Sequence, residues 1–391
     1  MLMHLLTWAV LLSAVAHSCV TPADCSAAGS CVAGVCSCEA GFTGSTCSAL
    51  DNRTRIPVNS GFRLPGWHVW GSQVVLGDDG LFHMAASIYP AQFDFYKQWL
   101  FTAQIAHAKS ATALGPYTFE SIILPYGAET AWDRSVMNPK LLRAPNGGPW
   151  LLFYVGSSYE GPTPGGAVPL PTNSSAAQAS QRVGLATASA PGGPFVREPA
   201  PVLAPRAGGW DERIVSNPAV CAFGNGSSAL LMVYKGSSPA GAGTTQTRVC
   251  FGVAAAPSWD APFVRLSDDP ILPCPVNTFR AEDPTLWRDS TTGYFHLIFK
   301  DFEGFYTKAG YSGAHAISAD GLTWSMTTPA LAYTTTHTWD DGVTRKQGQQ
   351  ERVQILLDDG DGQPLAAFFA TNTGLNGSAE FWNMVMPLRP L

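Results

Sequence analysis

Three carboxyl side chains stand out because of where they fall in a recurring phrase. Glu282 and Asp283 precede Pro284, and Glu351 holds the place of Glu282 in the next copy, ahead of Arg352-Val353. Two other copies carry the neutral pairs Asn138-Pro139 and Asn217-Pro218, so the repeat itself does not require charge at 282, 283 or 351. Asp133 and Asp211 each follow a tryptophan a few residues upstream of those Asn-Pro pairs. Carboxyls brought together raise one another's pKa, which keeps one protonated as a general acid while another acts as base. Lys300, Arg280 or Arg352 would hold a partner ionised. Asn138, Asn217, His315 and Arg352 offer hydrogen bonds to a polar ligand, and Trp70 an amphipathic ring for stacking. The plainer readings are structural. An Asp ahead of a strand caps turns, the Trp-Asp pairs at 132, 210 and 339 would equally lock neighbouring repeats, and His83 and His296 sit inside apolar strands. No metal constellation and no phosphate-cradling glycine loop is present, so no cofactor is expected.

Positioning such residues falls to a repeat. Aligned at 72, 139, 218, 284 and 353, the phrase recurs at steps of 67, 79, 66 and 69 residues. Each copy opens with a strand such as Asn138-Pro-Lys-Leu-Leu142, continues in an apolar run such as Trp150-Leu-Leu-Phe-Tyr154, and ends in small residues before a Gly-Pro-aromatic or Asp-Gly corner. Three or four strands per copy, five copies and no helical period predict an all-β, five-bladed β-propeller over residues 56–391. First strands line the channel of such a fold, so the aligned sites should meet near its axis. Ring closure predicts that residues just after Arg55 pair with the segment Phe381 to Met386.

Composition sets the surroundings. With 23 basic against 29 acidic residues the net charge is −6, which argues against a nucleic-acid partner. Residues 1–18 carry an apolar run, Leu5 to Val15, and a small-x-small cleavage site near Ala16 to Ser18, and read as a secretory leader. No later stretch is long and apolar enough to span a membrane. Six of nine cysteines lie at positions 19, 25, 31, 36, 38 and 47, a disulfide scaffold rather than a zinc site. With the loop Cys38-Glu-Ala-Gly-Phe42-Thr-Gly44-Ser-Thr-Cys47, residues 19–48 resemble an EGF-like module, joined by a linker over 49–55. The resemblance implies pairs Cys19 to Cys31, Cys25 to Cys36 and Cys38 to Cys47, and an extracellular protein partner. Pairing among Cys221, Cys250 and Cys274 stays open. Asn52, Asn173, Asn225 and Asn376 are glycosylation acceptors.

The segments Trp132-Asp133 to Asn138-Pro139, Trp210-Asp211 to Asn217-Pro218, Glu282-Asp283-Pro284, Lys300-Asp301, His315 to Trp324 and Glu351-Arg352 resemble the five-bladed glycoside hydrolases of the family 43, 32, 117 and 130 group, closest to a family-43-like secreted branch. That resemblance implies a secreted glycosidase acting on a polysaccharide or glycan by carboxylate acid–base catalysis. Family-43 enzymes carry acids on blades one, three and four, whereas here blade one offers Gly71 or Ser72 and blade three Asn217. The alternative is a propeller without catalysis that binds glycans or proteins. Glu282, Asp283 and Glu351 are the expected catalytic residues.

Overall fold

The computed structural model describes residues 18–165, 168–224, 226–238, 249–274, 281–374 and 380–390. Most of the expected leader, together with Asn225, Asn376 and Arg280, lies outside them.

Apolar runs bounded by Gly, Asn and Asp turns form antiparallel sheets of up-and-down strands. Four blades have four strands each, opening with Trp67–Leu76, Ser135–Arg143, Ile214–Ala222 and Ala281–Arg288. The fifth opens with Gln349–Leu357 and contributes three. The first strand of every blade touches the first strand of the next, and the last returns to the first, so these five form the inner ring. Closure follows expectation: Phe62 pairs antiparallel with Asn383 on the outer strand Phe381–Pro387. Asn383 Nδ2 also donates to the Trp70 carbonyl at 2.8 Å, stitching blade five to blade one.

The N-terminal module holds the three disulfides that the EGF-like resemblance implies, Cys19–Cys31, Cys25–Cys36 and Cys38–Cys47. Cys250 pairs with Cys274 and leaves Cys221 free, which settles a pairing that spacing alone left open. The module shares a core with the propeller. Phe42 stacks on Trp287 and His315, and Cys25, Cys47 and Leu50 join the cluster that holds Trp339, Phe369 and Met386. His315 Nδ1 donates to the Ser48 carbonyl at 2.9 Å.

Candidate active site

All five inner strands slip register at the aligned position. In four of them the bulge puts a non-glycine residue in the left-handed region: Asn138, Asn217, Asp283 and Arg352, with φ between 51° and 58°. Such a conformation persists only where neighbours impose it. Here those neighbours are one another. Asn217 Nδ2 donates to Asp283 Oδ1 at 3.0 Å, Arg352 Nη1 lies 2.9 Å from the same oxygen, and the Arg352 amide donates to Asp283 Oδ2 at 3.2 Å. The Asn138 amide lies between Asn217 Oδ1, at 3.1 Å, and Arg352 Nη1, at 2.9 Å. On the remaining inner strand, Trp67–Leu76, Gly71 leaves room for the Arg352 stem. The side chains thus close the axis, and the space left among them, about 20 Å³, is that of roughly one water.

One residue upstream, the inner strands carry Trp70, Met137, Ser216, Glu282 and Glu351. This ring divides into halves. Trp70, Met137, Val155 and Ala370 pack with Phe95 and Phe381 in an apolar cluster. On the other side Glu282 Oε1 lies 3.1 Å from Lys235 Nζ, and Glu351 pairs with Lys300, each lysine coming from the second strand of the preceding blade. Lys300 Nζ also sits 3.3 Å from the Phe302 ring centre. A polar chain continues round the mouth: Gln349 Nε2 lies 3.4 Å from Glu351 Oε1, and Tyr96 Oη donates to Gln349 Oε1 at 2.9 Å. Asn372 Nδ2 donates to the same Gln349 oxygen at 2.8 Å.

Two of the carboxyls are shifted in opposite directions. Burial alone would raise Glu282, but Lys235, then Arg352 and Lys300, outweigh it and hold the group below its ordinary value. Burial pushes Asp283 up to about 6, with Glu282 and Glu351 adding to the rise and Arg352 opposing it. Two adjacent residues are therefore driven in opposite directions, the arrangement that separates acid from base roles.

Glu282, Asp283, Glu351, Asn138, Asn217 and Arg352 are brought together as the sequence implies, although Asp283, Asn138, Asn217 and Arg352 act within the axial seal. Asp133 and Asp211 turn away from the axis. Each accepts a tyrosine hydroxyl, Tyr154 at 2.7 Å and Tyr234 at 2.9 Å, and faces an arginine, Arg197 or Arg265. The reason is steric: Gly156 and Gly236 open a slot between strands that a Cβ would fill, 2.5 Å and 2.7 Å from the Asp Cβ atoms. His315 is fully buried beneath the module, away from the mouth. Trp70 is 4% exposed and packs on Phe95 and Phe381, so its faces are already covered. Sequence reasoning does not reach Lys235, Tyr96 and Gln349. A lysine at matching places of two second strands, 235 and 300, is the available signal.

No family model matches this chain, and no curated protein matches it. Solved structures do. BT0996, in its complex with RGII, is 13% identical over 87% of this chain and 93% of its own, with a TM-score of 0.61. Zg3597, a family 117 glycoside hydrolase of the marine bacterium Zobellia galactanivorans, is 14% identical over 85% and 87%, at 0.56. A thermostable family-43 glycoside hydrolase is 12% identical over 82% and 88%, at 0.51. At these identities the likeness is one of fold, the five-bladed propeller that families 43 and 117 share.

Proposed function

We propose that the chain is a secreted glycoside hydrolase acting on a polysaccharide or glycan at the mouth above the sealed axis, with Glu282 and Glu351 as its acid–base couple. The observation that carries this reading is the convergence of two glutamates at one inner-strand position of adjacent blades, where the other three hold Trp70, Met137 and Ser216. Glycoside hydrolysis uses one carboxyl to protonate the leaving oxygen and one carboxylate to activate water or attack. Glu282, held ionised by Lys235, suits the carboxylate role. Glu351, which faces Lys300 and the Phe302 ring from the next blade, is the other member of the couple. Asp283 is a positioning residue that fixes Arg352 beneath both. Tyr96 and Gln349 are the residues we assign to sugar hydroxyls, and Asn372, fully buried, holds the Gln349 amide in place. The glycoside hydrolases among the structural neighbours support a glycan substrate, and four disulfides support an oxidising compartment. An extracellular partner of the module would meet its exposed Val20, Val32 and Val35.

Glu282→Gln and Glu351→Gln conserve size. Each should cut turnover of aryl glycosides or oligosaccharides by about 10²- to 10⁴-fold, the usual share of a positioned acid or base. Undiminished turnover in both variants would overturn the assignment. A second reading, a glycan-binding propeller without turnover, is favoured by one observation: all three carboxyls already have a cationic partner. It requires saturable oligosaccharide binding by calorimetry without hydrolysis, weakened by the same two substitutions.

A further inference from the structure

Below the sealed ring, on the side away from Glu282 and Glu351, the inner strands border a second cavity of about 590 Å³. That is within the roughly 300–1,000 Å³ common for small-molecule sites. Its walls include Leu141, Val220, Leu286 and Leu356, with Trp150 and Trp287. The polar groups gather where the inner strands leave the bulge. Lys140 Nζ donates to Gln73 Oε1 at 2.9 Å and lies 3.4 Å from Gln354 Oε1, which also accepts from Thr285 Oγ1 at 3.4 Å.

Lys140 is 7% exposed, and among the described residues no carboxylate pairs with it. Its two amide acceptors leave a third N–H free, and burial lowers its ammonium to about 8, the cost of a buried cation without a carboxylate beside it. Cys221, also in the wall, supplies no counter-charge, because burial pushes its thiol up to about 12. The acids that border the cavity, Asp78 and Asp359, stand exposed at its rim, and Asp78 is taken by Arg143 at 2.7 Å. The cavity is therefore apolar along its walls and supplied with one buried cation that has an N–H to spare. A phosphate dianion would need more than one cation and would leave the apolar wall unused.

We propose that this lower cavity binds an amphipathic monocarboxylate, its carboxylate on Lys140 and its apolar body along Leu141, Val220, Leu286 and Leu356. The site is separate from the glycan mouth, since the Asn138, Asn217, Asp283 and Arg352 ring closes the axis between them.

Dodecanoate, kept below its micelle concentration, is titrated into the full chain and followed by tryptophan fluorescence and calorimetry, with dodecanol as the uncharged control. The expected result is saturable one-to-one binding of dodecanoate at least about ten-fold tighter than dodecanol, the scale of one charge-assisted contact. Lys140→Met should erase the preference and Val220→Trp should block both ligands, while Glu282→Gln should bind dodecanoate like the wild type. Absence of saturable binding, or equal affinity for acid and alcohol in the unaltered protein, overturns the proposal without reference to any variant.

Discussion

Arg352 and Asp283 meet at the propeller axis as a buried ion pair, Nη1 to Oδ1 at 2.9 Å, with the Asp283 side chain wholly buried. The contact depends on an absence nearby, because a Cβ on Gly71 would lie 3.1 Å from Arg352 Cγ. Sequence alone makes Asp283 one of the expected catalytic residues. Its place in the seal changes that expectation.

Removing one partner of a buried pair leaves an uncompensated charge, at about 3–5 kcal/mol. Asp283→Asn should therefore lower unfolding stability by about 3 kcal/mol in a denaturant titration, near the low end because one acceptor oxygen remains. Glu282→Gln, at a part-exposed pair, should cost far less. Asp283→Leu combined with Arg352→Leu should lose less than the two single changes added together. Additive losses would show that the two residues do not act as a pair.

Most of the architecture is readable because a step of 66 to 79 residues with strand-like runs admits few folds. The Glu282 and Glu351 positions are readable for the same reason, since breaking a repeat marks a residue that the repeat does not need. Asp133 and Asp211, which the sequence points toward the axis, turn away from it. Their partners lie over twenty residues away, in the phrases Tyr154-Val-Gly156 and Tyr234-Lys-Gly236, and only the pairing of Tyr hydroxyl with Asp reveals the link. His315 escapes the same reading because a strand's sequence does not say which module will cover its outer end. Trp70 escapes it because Phe381, more than 300 residues later, fills the space over its ring. Local spacing carries no trace of such contacts.

Docking of the disulfide module should respond to pH through Glu39. Burial first, then Asp289, pushes its carboxyl up to about 7 from an ordinary 4.5. Asp289 Oδ2 is meanwhile held by Gln363 at 3.2 Å. A carboxyl raised in the folded state favours folding most when protonated. Its contribution is complete below about pH 4.5 and is lost as pH rises to about 7. Glu39→Gln should therefore match the wild type's melting temperature at pH 4 and exceed it at pH 8. An equal offset at both pH values would exclude this linkage.

The module should also matter for stability. Read from sequence it is an independent unit, but Phe42 is 3% exposed and stacks on Trp287 and His315. Phe42→Ala should destabilise the whole chain by about 3 kcal/mol, at the lower end for a buried aromatic. Removal of residues 19–48 should lower the propeller's melting temperature further, by uncovering Trp287, His296 and His315. Calorimetric scans of the two variants test this, and a propeller melting as before without residues 19–48 would show that the contact is incidental.

One hydrogen-bonded pair of the ring closure depends on a glycine's freedom to turn. Gly61 has φ of 75°, and a Cβ there would run into the carbonyl oxygen of Asn383. That oxygen accepts the Phe62 amide at 3.0 Å, and the Asn383 amide returns a bond to the Phe62 carbonyl at 3.0 Å. Gly61→Ala must therefore both strain the backbone, at about 1–3 kcal/mol, and part these two bonds. Amide exchange should accelerate first in the outer strand Phe381–Pro387 and then in Trp67–Leu76, which Asn383 ties to it through the Trp70 carbonyl. Gly80→Ala is the control, since Gly80 also has positive φ, 76°, but nothing stands within 4 Å of its added Cβ. It should show the backbone strain without the loss of closure. Equal exchange patterns in the two variants would mean that the Phe62–Asn383 bridge does not hold the ring shut.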